Sequence, residues 1–146
     1  MPTDAKYLQG FSCFRKLTEQ QVQALAEITN AVCYPAGYVL FEEGKPGKRL
    51  FFLVKGSVEV MYQIGETGQV KVDTVSGEEV VGCSALVEPN VYTATERCLT
   101  EVEVLEVDAV ALRALMHNDF QMGLSIQEHI IGVLMDRILD LRLSAA

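Results

Sequence analysis

From Val32 to about Val107 the chain consists of short β-branched and aromatic runs, each closed by a glycine turn. Pro35-Ala36-Gly37 and Gly44-Lys45-Pro46-Gly47 reverse the chain ahead of the apolar run Leu50 to Val54, and Gly65-Glu66-Thr67-Gly68 separates two further runs. Many short strands at even spacing bury their apolar faces only by closing a sheet on itself or stacking two sheets, so this stretch predicts an all-β barrel or sandwich. Val58, Val60, Tyr62 and Ile64 alternate with Ser57, Glu59, Met61 and Gln63, and on the return run Val70 and Val72 alternate with Lys71 and Asp73. That period of two predicts one buried and one wet face. Val102 and Val104 alternate with Glu101 and Glu103, but Leu105 breaks the alternation, which predicts a bend or bulge there.

Helical signals flank this region. Thr18 with Gln21 three residues on forms a capping box, and Val22, Leu25, Ala26 and Ile28 recur at helical spacing, giving a helix that ends near Thr29 or Asn30. After Asp108, a good N-cap, Ala111, Leu112, Leu115 and Met116 mark a short helix. A long one follows Asn118-Asp119 and runs from about Met122 to Leu143. Its apolar residues fall on two stripes: Leu124, Ile131, Leu134, Ile138 and Leu141 on one, Ile126, Ile130, Val133 and Leu139 on the other. Packing on a single domain uses one stripe about 100° wide, so two stripes predict two partners. The 3-4-3 spacing of Ile131, Leu134, Ile138 and Leu141 is that of a coiled-coil seam, and it predicts a homodimer interface, with the other stripe packed on the barrel.

The 146 residues suit one domain, 1–146, with the barrel over about 31–107 and the helical part over about 109–143. A net charge of −8 opposes nucleic-acid binding, which depends on Lys and Arg displacing counterions. No apolar run nears the roughly 18 residues of a membrane span, and MPTDAKYLQG is too polar for a signal peptide, so a cytoplasmic location is expected, away from membranes. Cys13, Cys33, Cys83 and Cys98 lack CxxC or CxH spacing, and most of them read as small buried groups. His117 and His129, the only histidines, fall in the helical quarter, so no metal site is expected on the strands. No Ser-His-Asp or Cys-His pairing is legible, and Glu78 and Glu79, adjacent on a strand, point to opposite faces; neither catalytic residues nor a cofactor are expected.

The segment SGEEVVGCSALVEPNVYTAT, residues 76–95, places Gly77 and Gly82 around a short strand ahead of one helical turn, and it contains no basic residue. Together with Gly37-Tyr-Val-Leu-Phe-Glu-Glu-Gly44 and Phe51-Phe-Leu-Val-Lys-Gly-Ser-Val58, this segment makes the chain, from Leu17 to Leu141, resemble the cyclic-nucleotide-binding domain of the catabolite activator protein type. The resemblance implies a mainly β fold with flanking helices: a double-stranded β-helix, or jelly-roll, barrel of about eight strands, an N-terminal helix and a long C-terminal helix. It also implies a regulatory sensor. In that family a Glu after the second glycine holds the ribose 2′-hydroxyl and an Arg near the end of the cassette pairs with the cyclic phosphate. Here those positions hold Cys83 and Tyr92, or Val91 if the loop is read one residue differently.

A buried anion that loses its cation is penalised by about 3 to 5 kcal/mol, and the lost ribose contacts cost roughly 1.5 to 3 more, enough to turn micromolar binding millimolar. Usual binding of cyclic AMP or cyclic GMP is therefore not expected. The remaining candidate ligand site is Gly82, Cys83, Ser84, Ala85, Val91, Tyr92 and Thr93, with the backbone amides of residues 83–85 turned to the ligand. It suits a neutral or weakly anionic small molecule such as a nucleoside, a small acid or a lipid fragment. The alternatives are an atypical cyclic-nucleotide site, or a barrel that Val91 and Tyr92 fill, leaving a module for a partner protein. A reactive thiol at Cys83 is disfavoured by Glu79 and Glu88. The family's long helix also meets the nucleotide base, which puts Gln127, Glu128 and His129 among the residues to locate. A helix-turn-helix follows that helix in the family's transcription factors; the sequence stops at Ala146, and no DNA-reading element is expected in it.

Overall fold

The computed structural model describes residues 4–66, 68–76 and 79–145. Thr67, Gly77 and Glu78, and the side chains of Val72 and Asp73, lie outside the described residues, and with them part of the expected turns and alternation. The described residues form α1 (Ala5–Gln9), a 3₁₀ turn at Ser12–Phe14, α2 (Glu19–Glu27), and eight strands: β1 (Thr29–Tyr34), β2 (Val39–Phe41), β3 (Arg49–Lys55), β4 (Ser57–Gln63), β5 (Gln69–Ser76), β6 (Glu79–Val81), β7 (Thr95–Cys98) and β8 (Val102–Asp108). α3 (Ala109–Asn118) and α4 (Phe120–Ala145) close the chain. The strands make two antiparallel four-stranded sheets, ordered β1-β8-β3-β6 and β2-β7-β4-β5.

Two apolar layers hold this arrangement. Phe51, Leu53, Val81, Val102 and Val104 point between the sheets, toward Leu40, Phe41 and Val58. Leu50, Phe52, Val80, Leu105 and Val107 point outward from the first sheet, where Phe14, Leu25, Leu112 and Ile126 of the helical segments cover them. That double coverage explains Leu105. β8 buries apolar side chains on both faces, Val102 and Val104 on one and Leu105 and Val107 on the other, and Leu105 pairs in regular register with Ala31 and Phe52. The bend expected there is absent; the irregularity lies on β3, between Leu53 and Lys55.

The alternation on β4 is also corrected. Met61 is buried, whereas Tyr62 and Ile64 are 39% and 55% exposed, and the pairing with β5 slips between Val60 and Met61, with the extra residue on β5. At the β3–β4 turn Gly56 has φ +98°, and a Cβ there would run into the Glu101 carbonyl, so both the conformation and the space call for glycine.

α2 starts on the capping box, with the Thr18 side chain accepting from Gln21 N–H and the Gln21 side chain from Thr18 N–H. It ends earlier than expected. Thr29 donates its hydroxyl to the Leu25 carbonyl at 2.7 Å and gives its backbone to β1, opposite Val107. α4 starts on Asp119, whose carboxylate accepts from Met122 N–H at 3.1 Å. Ile126 and Ile130 of one stripe are buried, and beyond them both stripes are largely exposed, Leu139 at 52% and Ile131 at 55%. No helix among the described residues is long and apolar enough to cross a membrane.

Candidate functional site

β6 delivers the chain to Gly82, which sits at φ +82°. A Cβ there would stand 3.2 Å from the Phe41 ring and 3.4 Å from the Tyr92 ring, so a side chain is excluded by conformation and by space. The 3₁₀ turn Cys83–Leu86 follows. The Ala85 N–H donates to the Gly82 carbonyl at 3.0 Å and Ala85 is fully buried, so this amide is spent inside the turn rather than turned to a ligand. The Ala85 carbonyl accepts from the Asn90 side chain at 2.9 Å and from Arg113 Nη1, on α3, at 2.6 Å.

Tyr92 stands where the resemblance calls for a cation, and it is packed away. Its ring stacks on Phe41 with centroids 4.2 Å apart, 5% of the residue is exposed, and burial raises its pKa. Its hydroxyl donates to the Arg49 carbonyl at 2.7 Å and accepts from the Arg49 N–H at 3.1 Å. Val91 is half-buried and bridges to Pro46. Filling at this point does not close the barrel.

Between the barrel and α4 lies a cavity of about 770 Å³, within the range of small-molecule sites. Gly82, Cys83, Ser84 and Thr93 line it; Ala85, Val91 and Tyr92 do not. Phe41, Val60 and Leu86 supply the apolar barrel wall, and Ile130, Ile131, Leu134, Ile138 and Leu141 the helical wall. The expected seam residues thus also form the lid of the cavity. Leu124 lies apart, in a smaller cleft beside Phe120. Gln127 reaches the cavity, whereas Glu128 and His129 are off its wall.

Two charged groups on the wall were missed in the sequence. Glu96, on β7, is 6% exposed, and its strand neighbours Phe41 and Val60 also face the cavity. Arg137, on α4, donates from Nε to the Glu79 carboxylate at 3.0 Å and from Nη2 to the Val80 carbonyl at 2.5 Å, with Nη2 also ion-paired to Glu79 at 2.9 Å. Its signal was a basic residue three after Leu134 and four before Leu141, inside an apolar stripe. Burial pushes the Cys83 thiol up, Arg137 draws it down and Glu96 raises it again, so the thiol is the favoured form at neutral pH. Burial pushes Cys13 up to about 12. Among the described residues no group of three His, Cys, Asp or Glu could hold a metal ion.

The model of the family described as "Cyclic nucleotide-binding domain" matches residues 31–119. A "CRP-like cAMP-activated global transcriptional regulator" of Mycobacterium tuberculosis is 26% identical over 126 residues, 86% of this chain and 54% of the regulator. The "cGMP-dependent protein kinase egl-4" of Caenorhabditis elegans is 29% identical over 104 residues, 70% of this chain and 13% of the kinase. The chain thus spans about half, or less, of the curated relatives it matches. Among solved structures, a Geobacter metallireducens chain superposes with a TM-score of 0.83 at 25% identity, covering 92% of this chain and 98% of its own. A cyclic nucleotide-binding domain from Methylobacillus flagellatus gives 0.80 at 18%, covering 97% and 83%. With two stacked four-stranded sheets, a glycine-bounded cassette, a long closing helix and a family model matched over most of the barrel, the chain belongs to the cyclic nucleotide-binding domain family.

Proposed function

We propose that this chain is a regulatory sensor domain, not an enzyme, whose ligand occupies the cavity between the barrel and α4 and is not a cyclic nucleotide held in the usual way. The observation that carries this reading is Tyr92. The ring fills the slot beside Gly82, and two hydrogen bonds to the Arg49 backbone fix it there. No guanidinium stands at that point to balance a cyclic phosphate, a loss worth about 3 to 5 kcal/mol for a buried anion. Activation by cyclic AMP, stated for the mycobacterial relative, and dependence on cyclic GMP, stated for the kinase, are therefore not carried over. The open cavity favours a ligand-binding module over a filled barrel serving only a partner protein.

The output belongs to α4. Ile131, Leu134, Ile138 and Leu141 line the cavity and remain 37% to 55% exposed, which supports a homodimer that joins through this helix and feels what the cavity holds. A thermal-shift series tests the ligand reading. Cyclic AMP and cyclic GMP at about 100 μM are expected to leave Tm unchanged, because a millimolar ligand adds almost nothing to stability at that concentration. A rise of several degrees with either nucleotide overturns it.

A further inference from the structure

A second cleft, of about 370 Å³, lies against the Tyr92–Phe41 stack, and no residue of α4 lines it. Its walls carry Lys45, Lys48 and Arg49, with Glu42, Val39 and Pro46 beside them. Three of the chain's 12 Lys and Arg residues thus face one concave space, although the net charge is −8. Arg49 Nη1 is ion-paired with Glu106 at 3.2 Å, and its guanidinium lies over the Phe51 ring. Lys45 and Lys48 form no ion pair among the described residues, and Glu42 is the one carboxylate on the lining. The segment that bears these cations is pinned by its main chain. Tyr92 N–H donates to the Lys45 carbonyl at 3.0 Å, Gly47 N–H to the Asn90 carbonyl at 2.7 Å and Ala109 N–H to the Lys48 carbonyl at 3.0 Å. A Cβ on Gly47 would stand 2.7 Å from Ala85, so the segment is seated on the cassette. Bonds that involve none of the charges therefore hold like charges together, and an anion between them would relieve the repulsion.

We propose that this cleft is an anion site, separate from the cavity under α4, and that it takes a phosphate monoester. The phosphate spans Lys45 and Lys48, Arg49 adds the guanidinium donors that Glu106 leaves free, and the organic body meets Val39 and Pro46. A phosphate monoester carries about 1.5 to 2 negative charges at neutral pH and three acceptor oxygens, so it answers two ammonium groups at once. A carboxylate or a sulfate monoester brings a single charge. Charge-assisted hydrogen bonds of this kind are about twice as strong as neutral ones. Glu42 opposes the anion and limits its affinity. The ligand would sit on the side chain of Arg49, the residue whose main chain holds the Tyr92 hydroxyl.

The test titrates phenyl phosphate, phenyl sulfate and inorganic phosphate into the isotope-labelled chain at low salt and slightly alkaline pH, followed through backbone amide shifts. Phenyl phosphate and phenyl sulfate share a shape and differ in charge. Phenyl phosphate is expected to shift the amides of residues 45–49 and to bind at least about threefold tighter than phenyl sulfate. Its affinity is expected to fall about tenfold in the K45Q/K48Q chain, whose two positions are exposed, and to fall again when salt rises to about 0.5 M. E42Q is expected to tighten it about threefold, since a like charge leaves the cleft. Inorganic phosphate is expected to bind more weakly, and equal binding overturns the choice of a monoester. Equal affinity for phosphate and sulfate, an affinity unchanged in K45Q/K48Q, or shifts confined to α4 overturns the site and leaves the cavity reading as it stands.

Discussion

At Tyr92 one side chain fills the slot beside Gly82 and stacks on Phe41. Removing its hydroxyl as Tyr92→Phe keeps the stack on Phe41 but leaves the Arg49 N–H and carbonyl without their partner. Stability is expected to fall by about 1 to 3 kcal/mol, read from urea unfolding with an unchanged m-value. A loss below about 0.5 kcal/mol would mean that water replaces the hydroxyl at this point. The residue scale is also where the sequence was least complete. That Cys83 and Tyr92 stand where the family has Glu and Arg was legible in the string, but the direction of the Tyr92 ring was not, because it depends on Phe41 and Arg49, more than 40 residues earlier. Glu96 was hidden for the same reason. A Glu between Thr95 and Arg97 looks solvent-facing until β7 is seen with Phe41 and Val60 on either side of it.

Elements whose signal is local were read well. The Thr18 capping box, the β3 run and the hairpin of β4 and β5 all formed where spacing put them. Elements that depend on their neighbours were misread: Leu105 needed knowledge that helices cover the outer face of β8, and the burial of Met61 was not marked by the alternation of β4. α1, only five residues long, passed unnoticed because its signals are one Asp4 cap and one buried leucine, Leu8. Caps also give an element-scale prediction. Asp119 accepts from Met122 N–H and from Gln21 Nε2 at 2.9 Å, so it ties the start of α4 to α2. These donors hold its carboxyl below the usual carboxylate range. A depressed folded pKa means that the stabilisation is complete above the unfolded value of 3.8 and is lost as pH falls through the folded one. Asp119→Ala is expected to lower Tm by about 2 to 4 °C at pH 7, and the difference from the native chain should close in strong acid. A difference independent of pH would point to packing instead of the cap.

For the molecule as a whole, the jelly-roll order and the closing helix were expected from texture and resemblance, whereas the cavity was not locatable, since it lies between segments brought together only by folding. Its lid and the proposed dimer seam are the same residues, Ile131, Leu134, Ile138 and Leu141. Ile138→Glu is expected to raise the dimer dissociation constant at least about tenfold, because a charge is desolvated on each side of a twofold seam. Sedimentation at tens of micromolar checks this, with the barrel still melting cooperatively; an unchanged mass distribution removes α4 as the interface.

The two arginines that join the helices to the cassette take hold of main-chain oxygens, Arg113 at Ala85 and Arg137 at Val80, on either side of Gly82. A carbonyl is present whatever side chain its residue bears. Substitution of Cys83, Ser84, Thr93 or Glu96 would therefore retune what the cavity accepts while leaving these two attachments in place. If the cavity is the ligand site as proposed, its stimulus can change through those side chains while α3 and α4 keep their hold on the Ala85 and Val80 carbonyls, with the Glu79 carboxylate as the one side-chain anchor beside them.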